Sequence, residues 1–422
     1  MYIDDVDTIF REFPGLEAEK GHDAQADYDA IYDVQDDLLC PYDDMRAKPY
    51  GYTKPRIVND VVFGRFFKVR YRQRRYKCPG CRRESHYDSP YVRQGSKTSK
   101  RFDSYVADKA LYQSFDEVAN LTGNIITRAH VGKILKCWAE TELFDYFNSL
   151  VPPTQLGIHI VGSASMPYLL LSDLEYNSFL DIFPVSEAAN QAFELLKGFA
   201  RQDGKREVCT DIDSSCFVPA KAVYTEREDV TLCVSRSSIY KSYAAALLDS
   251  ARSQYSASKK KLFLQLISTP LSETILWDER EKMISLAAKG GMKSWVDSLL
   301  VIRDMIQTNK WNQEDYKKYL SWKSDIAWDS EFRDVVEDLN FAQSEIEAGF
   351  RWGGHERFEK NTNLANDIIS LNQKCDFQLL RARMLLTGQP MLARVQSEKA
   401  KGWHHGIKML YLYDTMRQKL LG

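Results

Sequence analysis

Residues 63–81 read FGRFFKVRYRQRRYKCPGC, and the rest of the chain is arranged around them. Phe63, Phe67, Val69 and Tyr71 recur with the period of two that puts side chains on one face of a β-strand. Arg65, Lys68, Arg70, Arg72, Arg74, Arg75 and Lys77 crowd the other positions. A cationic ribbon with interleaved rings suits a polyanion, because the cations neutralise phosphates while the rings pack or stack. The plainer alternative is a solvated edge strand guarded by charge.

The formal net charge of −2 hides two opposed segments. Residues 1–45 carry fourteen Asp and Glu against Arg11 and Lys20, a net of −12. Residues 46–101 carry seventeen Lys and Arg, among them Arg82, Arg83, Lys97, Lys100 and Arg101, against three acids, a net of +14. The acidic stretch is either a solvated lead or a segment that docks on the chain's own basic surface in place of phosphate. The apolar spacing of YDAIYDVQDDLL predicts a helix inside it.

With 422 residues, 44% of them hydrophobic and 27% charged, the chain has room for two or three domains of ordinary globular composition. MYIDDVDTIF lacks the cationic and apolar regions of a targeting signal. No run of about 18 apolar residues predicts a membrane span. Eight scattered cysteines fit reduced thiols rather than a disulfide framework. The expectation is a soluble, intracellular protein.

Cys40-Pro41-Tyr42-Asp43 and Cys78-Pro79-Gly80-Cys81 have the form of two knuckles of a zinc ribbon. Zinc favours four ligands in a tetrahedron, and here three thiols remain, so Cys40, Asp43, Cys78 and Cys81 are the candidate set for structural zinc. Asp44 and His86 are alternatives to Asp43, and a ribbon-shaped fold without metal is the competing reading.

From Phe102 the pattern becomes helical. Ser114 and Glu117 form a capping-box pair at the head of SFDEVANLTG, and Gly123 marks a turn before a longer helix. This is helix-turn-helix layout, with Val118, Ala119, Leu121, Val131, Ile134 and Leu135 as its core. Thr127, Arg128, His130, Lys133 and Lys136 on that longer helix would face DNA. Beyond Val151-Pro152-Pro153, the runs LGIHIVGSA, PYLLLSDLEY and SFLDIFPV predict three antiparallel strands. EAANQAFELLKGFA follows as a helix, REVCTDID as a strand with a short helix, DVTLCVSR as a strand and IYKSYAAALLDSARSQY as a helix. That order belongs to a ribonuclease-H-like core. Helices are predicted from Lys259 to about Gln343, then around Asn363–Leu386 and Met409–Leu421.

In this fixed order, RRYKCPGC, SFDEVANLTGNIITRAHVGKIL, LGIHIVGS, VCTDIDSSCFVPAKAV and FQLLRARMLL make the chain from about Cys40 to Leu386 resemble the ISL-three family of bacterial insertion-sequence transposases. The resemblance implies an α+β multidomain protein. Its parts would be an acidic segment (1–38), a basic zinc-ribbon-like module (39–101), a helix-turn-helix (102–150), a ribonuclease-H-like core (154–250), a helical insertion (251–345) and C-terminal helices completing the core (346–422).

The resemblance also implies a triad of two aspartates and a glutamate holding two divalent metal ions. At the first position this chain has His159, at the second Asp211, and at the last Glu359, with Glu356 nearby. The downstream acid of the family pattern is replaced in Ser235-Arg236-Ser237-Ser238. Hard Mg²⁺ prefers oxygen to imidazole, and His159 brings no negative charge. The expected function is therefore sequence-specific binding of double-stranded DNA by a catalytically inactive, transposase-derived factor, dimeric and associated with the bacterial nucleoid. A metal-dependent nuclease using Mg²⁺ at an altered triad is the second expectation. A scaffold binding protein partners through the helical insertion is the third.

Overall fold

The cationic ribbon is one thirteen-residue strand, Arg65–Lys77, and it is the spine of a six-stranded sheet. A computed structural model describes residues 6–33, 39–85, 88–149, 153–163, 165–200, 205–254, 277–289, 292–307, 313–372 and 376–387. They divide into two units, Met1–Glu142 and Leu143–Gly422, of mixed α and β structure.

In the first unit, α1 (Val6–Phe10), β1 (Leu16–Lys20) and β2 (Tyr28–Tyr32) precede β3 (Lys48–Tyr52), β4 (Arg56–Val62), β5 (Arg65–Lys77) and β6 (Glu84–Ser85). β2 pairs in parallel with residues 69–73 of β5, and β4 pairs antiparallel with residues 65–71. Both engage Val69–Tyr71, so they lie on opposite edges of the strand. β3 and β6 both pair with Tyr76 and Lys77 and flank its far end in the same way.

The helix expected in YDAIYDVQDDLL is instead strand β2 over its described part, residues 34–38 lying outside the described residues. Alternation decides it: Tyr28, Ala30 and Tyr32 point into one core with Phe10, Phe13, Val58, Val69, Tyr71 and Tyr91. Burial of each large side chain there contributes roughly 1.5–3 kcal/mol. The acidic segment thus docks as a strand directly beside the basic one.

Phe63 does not share the face of Phe67, Val69 and Tyr71. With Gly64 it forms the turn between β4 and β5, and it is 79% exposed.

Three helices complete the unit: α2 (Lys100–Tyr112), α3 (Phe115–Leu121) and α4 (Arg128–Ser149), the last running on to the next unit. The capping box at Ser114 is present: Glu117 N donates to Ser114 Oγ at 3.3 Å and Ser114 N to Glu117 Oε2 at 2.8 Å. Gly123 and Asn124, both at positive φ, make the turn. Val118, Ala119, Val131, Ile134 and Leu135 are buried as expected, but Leu121 is 44% exposed. Ile126, inside the turn, is buried.

The second unit is built on a five-stranded sheet of β7 (Gln155–Ser163), β8 (Met166–Asp173), β9 (Ser178–Pro184), β10 (Arg206–Thr210) and β11 (Val230–Val234), in the order β11-β10-β7-β8-β9. β7, β8 and β9 are antiparallel neighbours, and β10 and β11 run parallel to β7. The connecting helices are α5 (Val185–Ala200), α6 (Ser214–Tyr224) and α7 (Arg236–Gln254).

Further helices are α8 (Trp277–Lys289), α9 (Lys293–Gln307), α10 (Gln313–Ile326), α11 (Arg333–Phe341), α12 (Gln343–Arg351), α13 (His355–Leu371) and α14 (Phe377–Leu386). α13 and α14 cover the sheet, with Ala365, Ile368, Leu380 and Met384 against Val161, Leu170, Phe179 and Ile182. Asp181 accepts both Nε and Nη2 of Arg381 at 2.8 Å, a buried fork that fixes α14 on β9. The predicted helical stretches 259–276 and 409–421 lie outside the described residues. No described helix is long and apolar enough to cross a membrane.

Candidate functional site

The two knuckles are copies of one loop. Cys40 N donates to Met45 O and Asp44 N to Cys40 O, while Cys78 N donates to Arg83 O and Arg82 N to Cys78 O. Asp44 and Arg82, at matching places, both take positive φ. Asp43 therefore stands where Cys81 stands in the other copy. The ligand atoms of Cys40, Asp43, Cys78 and Cys81 all lie within 4.8 Å of one another. Cys40 Sγ is 3.6 Å from Cys81 Sγ, and Cys78 Sγ is 3.1 Å from Asp43 Oδ2.

Thiolates about 2.3 Å from one tetrahedral ion would sit roughly 3.8 Å apart, so the set fits a metal. The Cys78 thiol, with the Met45 and Cys81 amides, holds the Asp43 carboxyl below its ordinary range. A Cβ at Gly80 would press on Met45 Sδ and Asp43 Oδ2, at 2.5 and 2.7 Å, so a larger residue there would have to displace those side chains. His86 lies outside the described residues, and Asp44 is not part of the cluster.

The arginines of β5 are not all available to a ligand. Arg70 is bonded to Asp23 and lies 3.5 Å from Asp29, and Arg74 Nε donates to Asp33 at 2.9 Å. Arg75 pairs with Glu84 at 3.1 Å. Arg101, expected on the DNA-facing surface, is spent inside the unit: it donates to Asp60, to Glu12 Oε1 at 2.6 Å and to Ile9 O at 2.7 Å. Asp60 itself is buried and also takes the Tyr91 hydroxyl at 3.0 Å. Nothing local in the sequence marks that network, since its members come from four separate segments.

Arg83 lies over the Tyr42 ring and Lys77 over Tyr50. Arg65, Lys68, Arg82 and Lys97 are exposed, while Arg72 and Lys100 are half-buried, and none of these six is paired with a described acid.

Lys68 belongs to a cavity of 230 Å³ lined also by Gln25, Asn59, Phe66, Phe67 and Ile125. Ile125 is in the turn before α4, so the β4–β5 hairpin and that turn border one hollow. Lys97 adjoins it, because its carbonyl takes the Asn59 amide at 2.9 Å. Thr127 caps α4, its hydroxyl accepting His130 N at 3.3 Å. Arg128 pairs with Asp116 at 3.2 Å and His130 is half-buried. Lys133 and Lys136 are exposed on the outer face of the helix.

In the second unit the three triad positions do come together. Asp211, just past β10, accepts Ile160 N at 2.7 Å, next to His159 on β7. Glu359 is on α13 beside Phe358, whose ring stacks on His159 with centroids 3.9 Å apart. Burial pushes both the Asp211 and the Glu359 carboxyls up, Glu359 further so by Asp211, while Lys241 opposes the rise in each.

His159 is fully buried and both ring nitrogens are engaged, Nδ1 with Thr362 Oγ1 at 2.9 Å and Nε2 with Ser172 Oγ at 2.6 Å. Thr362 donates its own proton to Phe358 O, so its oxygen accepts from Nδ1–H and Nε2 takes the Ser172 proton. Burial holds the imidazole well below its ordinary pKa, with Lys241 adding to the effect. It is a neutral core residue with no lone pair to offer. Arg236, the one matching residue of the downstream motif, is buried too, its pKa pulled down to about 9 by burial, and it donates to Trp352 O. Lys241 has no mark in the sequence.

No protein-family model matches the chain, and no curated protein matches its sequence.

Proposed function

We propose that the chain is a sequence-specific double-stranded DNA-binding protein, derived from a transposase of the ISL-three type and catalytically inactive. The first unit reads as a zinc-ribbon-like module joined to a helix-turn-helix, with α4 as the helix laid in the major groove and Lys133 and Lys136 on its outer face. The thiol-rich donor set favours zinc in the knuckle pair, where it would lock β3 and β6 to the end of β5. The strand order of the second unit, with antiparallel β7–β9 and parallel β10 and β11, supports the ribonuclease-H-like reading.

One observation carries the inactivity: both nitrogens of His159 are committed to Thr362 and Ser172. Two-metal chemistry needs oxygen ligands converging on the ions, and that position supplies none.

A full-length preparation should retain a subset of duplexes from a random-sequence pool and leave them uncut with Mg²⁺ or Mn²⁺. Lys133→Ala with Lys136→Ala should weaken binding and lower the salt slope by about two, since each lysine would neutralise one phosphate. Retention that is indifferent to sequence and to these lysines would defeat the reading.

The nuclease alternative keeps one supporting observation: Asp211 Oδ1 is buried with no hydrogen-bond partner, close enough to Glu359 to raise that carboxyl's pKa. Metal-dependent cleavage abolished by Asp211→Asn would establish it.

A further inference from the structure

β4 ends at Val62 and β5 begins at Arg65, leaving Phe63 and Gly64 to turn the chain. Both have positive φ, +47° and +76°, the conformation of a type I′ hairpin turn. Glycine is indifferent to that geometry, and Asn or Asp tolerate it at the first position; a bulky aromatic there is an outlier. Its ring gives nothing back in packing, being 79% exposed at the tip. An outlier of this kind, kept where Asn would fold better, points to a use outside the fold.

The surroundings narrow that use. Arg65, beside the turn, and Lys68, on the hairpin stem, are exposed, as is Lys97, whose carbonyl takes the Asn59 amide of the stem. The stem, through Asn59, Phe66, Phe67 and Lys68, borders the same hollow as Ile125 in the turn that leads into α4.

We infer that the Phe63–Gly64–Arg65 tip is a DNA wedge, with Phe63 entering a base step from the minor groove and Arg65 lying in that groove. This rests on the DNA-binding reading of the unit. Apolar wedges of this type partly unstack a step and bend the duplex, and a guanidinium is drawn to the negative potential of a narrow minor groove. An exposed ring beside the exposed guanidinium of Arg65 matches stacked bases flanked by phosphates.

The test uses the full chain and a duplex it enriches from a random pool, carrying the fluorescent base aminopurine at successive positions. The wild type should raise fluorescence at one step. Phe63→Ala should abolish that signal and bind roughly ten-fold more weakly, the size of one base stacked on an aromatic ring. Phe63→Asn suits the turn, so it should melt at a higher temperature than the wild type and still lack the signal, which separates the wedge from damage to the fold.

Unchanged affinity and signal in Phe63→Ala, with the wild type still bound, would remove the wedge and leave the DNA-binding reading standing. Failure of the wild type to retain any duplex would remove both. Binding to phosphatidylserine vesicles that disappears in Phe63→Ala, with duplex binding untouched, would reassign the tip to a lipid surface and overturn the proposal.

Discussion

Asp43 and His159 each stand where the sequence reading expects a different ligand, a thiol and a carboxylate, and the fold holds the two side chains in opposite ways. Asp43 stands where the other knuckle has Cys81 and keeps an oxygen aimed at the common centre, 3.1 Å from Cys78 Sγ, inside a loop that copies its partner. His159 instead turns both ring nitrogens to neighbours, Thr362 and Ser172. A position keeps its donor when the side chain still points at the common centre, as Asp43 does even while it accepts the Met45 and Cys81 amides. A position offers no donor when the fold engages its side chain elsewhere, as at His159.

The largest effect should come from breaking the site whose donors converge. Structural zinc contributes on the order of 10 kcal/mol of binding free energy in small metal-dependent folds. Cys78→Ser, or a strong chelator, should therefore release one metal per chain and lower the melting temperature of the first unit steeply. β3 and β6 should lose amide protection first, since they end at the knuckles. A chain that melts unchanged with its metal removed would put Asp43 on the same footing as His159.

The second prediction concerns acid. His159 is held well below 6.5, and His355, bonded through Nε2 to Gly349 O and facing Arg236, falls to about 3, in both cases mainly by burial. When the pH drops through 6.5 the unfolded chain takes up these protons and the folded chain does not. Stability is therefore present above 6.5 and lost below it, at about 1.4 kcal/mol per pH unit for each histidine, down to about pH 3 for His355. Asp211 and Glu359 work in the opposite sense, because their folded pKa values are raised and they bind protons more tightly when folded. The difference between the pH profiles of wild type and His355→Gln isolates one histidine. The variant should show the flatter acid limb, and parallel profiles would mean that His355 is already protonated in the fold.

How much of this is legible in the sequence depends on how far away each residue's partners lie. β7 to β11 and their helices are readable because each element carries its own apolar period. The capping box at Ser114 is readable because both partners lie within four positions. The knuckle set is readable from spacing, including the departure at Asp43. The strand Tyr28–Tyr32 reads as a helix because its pairing partner, Val69–Gln73, is some forty residues on. Arg101 looks like a surface cation because Asp60, Glu12 and Ile9 are remote in sequence. The anomaly at His159 is visible, but Ser172 and Thr362, which explain it, are not.

The smallest predicted effect tests whether the docked acidic strand tunes the basic one. Asp33 accepts Arg74 Nε at 2.9 Å and the Tyr76 hydroxyl at 3.2 Å. Asp33→Asn keeps an acceptor for Tyr76 and leaves Arg74 without a counter-ion, so the strand pairing survives while one cation is released. If Arg74 then reaches phosphate, duplex affinity should rise several-fold at low salt, and the slope of log affinity against log salt should steepen by about one. Asp23→Asn should do less, because Arg70 still has Asp29 at 3.5 Å. An unchanged salt slope in both variants would mean that these arginines serve the sheet and not a ligand. Deleting the segment could not make that distinction, because β1 and β2 would go with it and their removal would expose Val58, Val69 and Tyr71. The acidic stretch is thus part of the fold first, and any influence on DNA is exercised one carboxylate at a time.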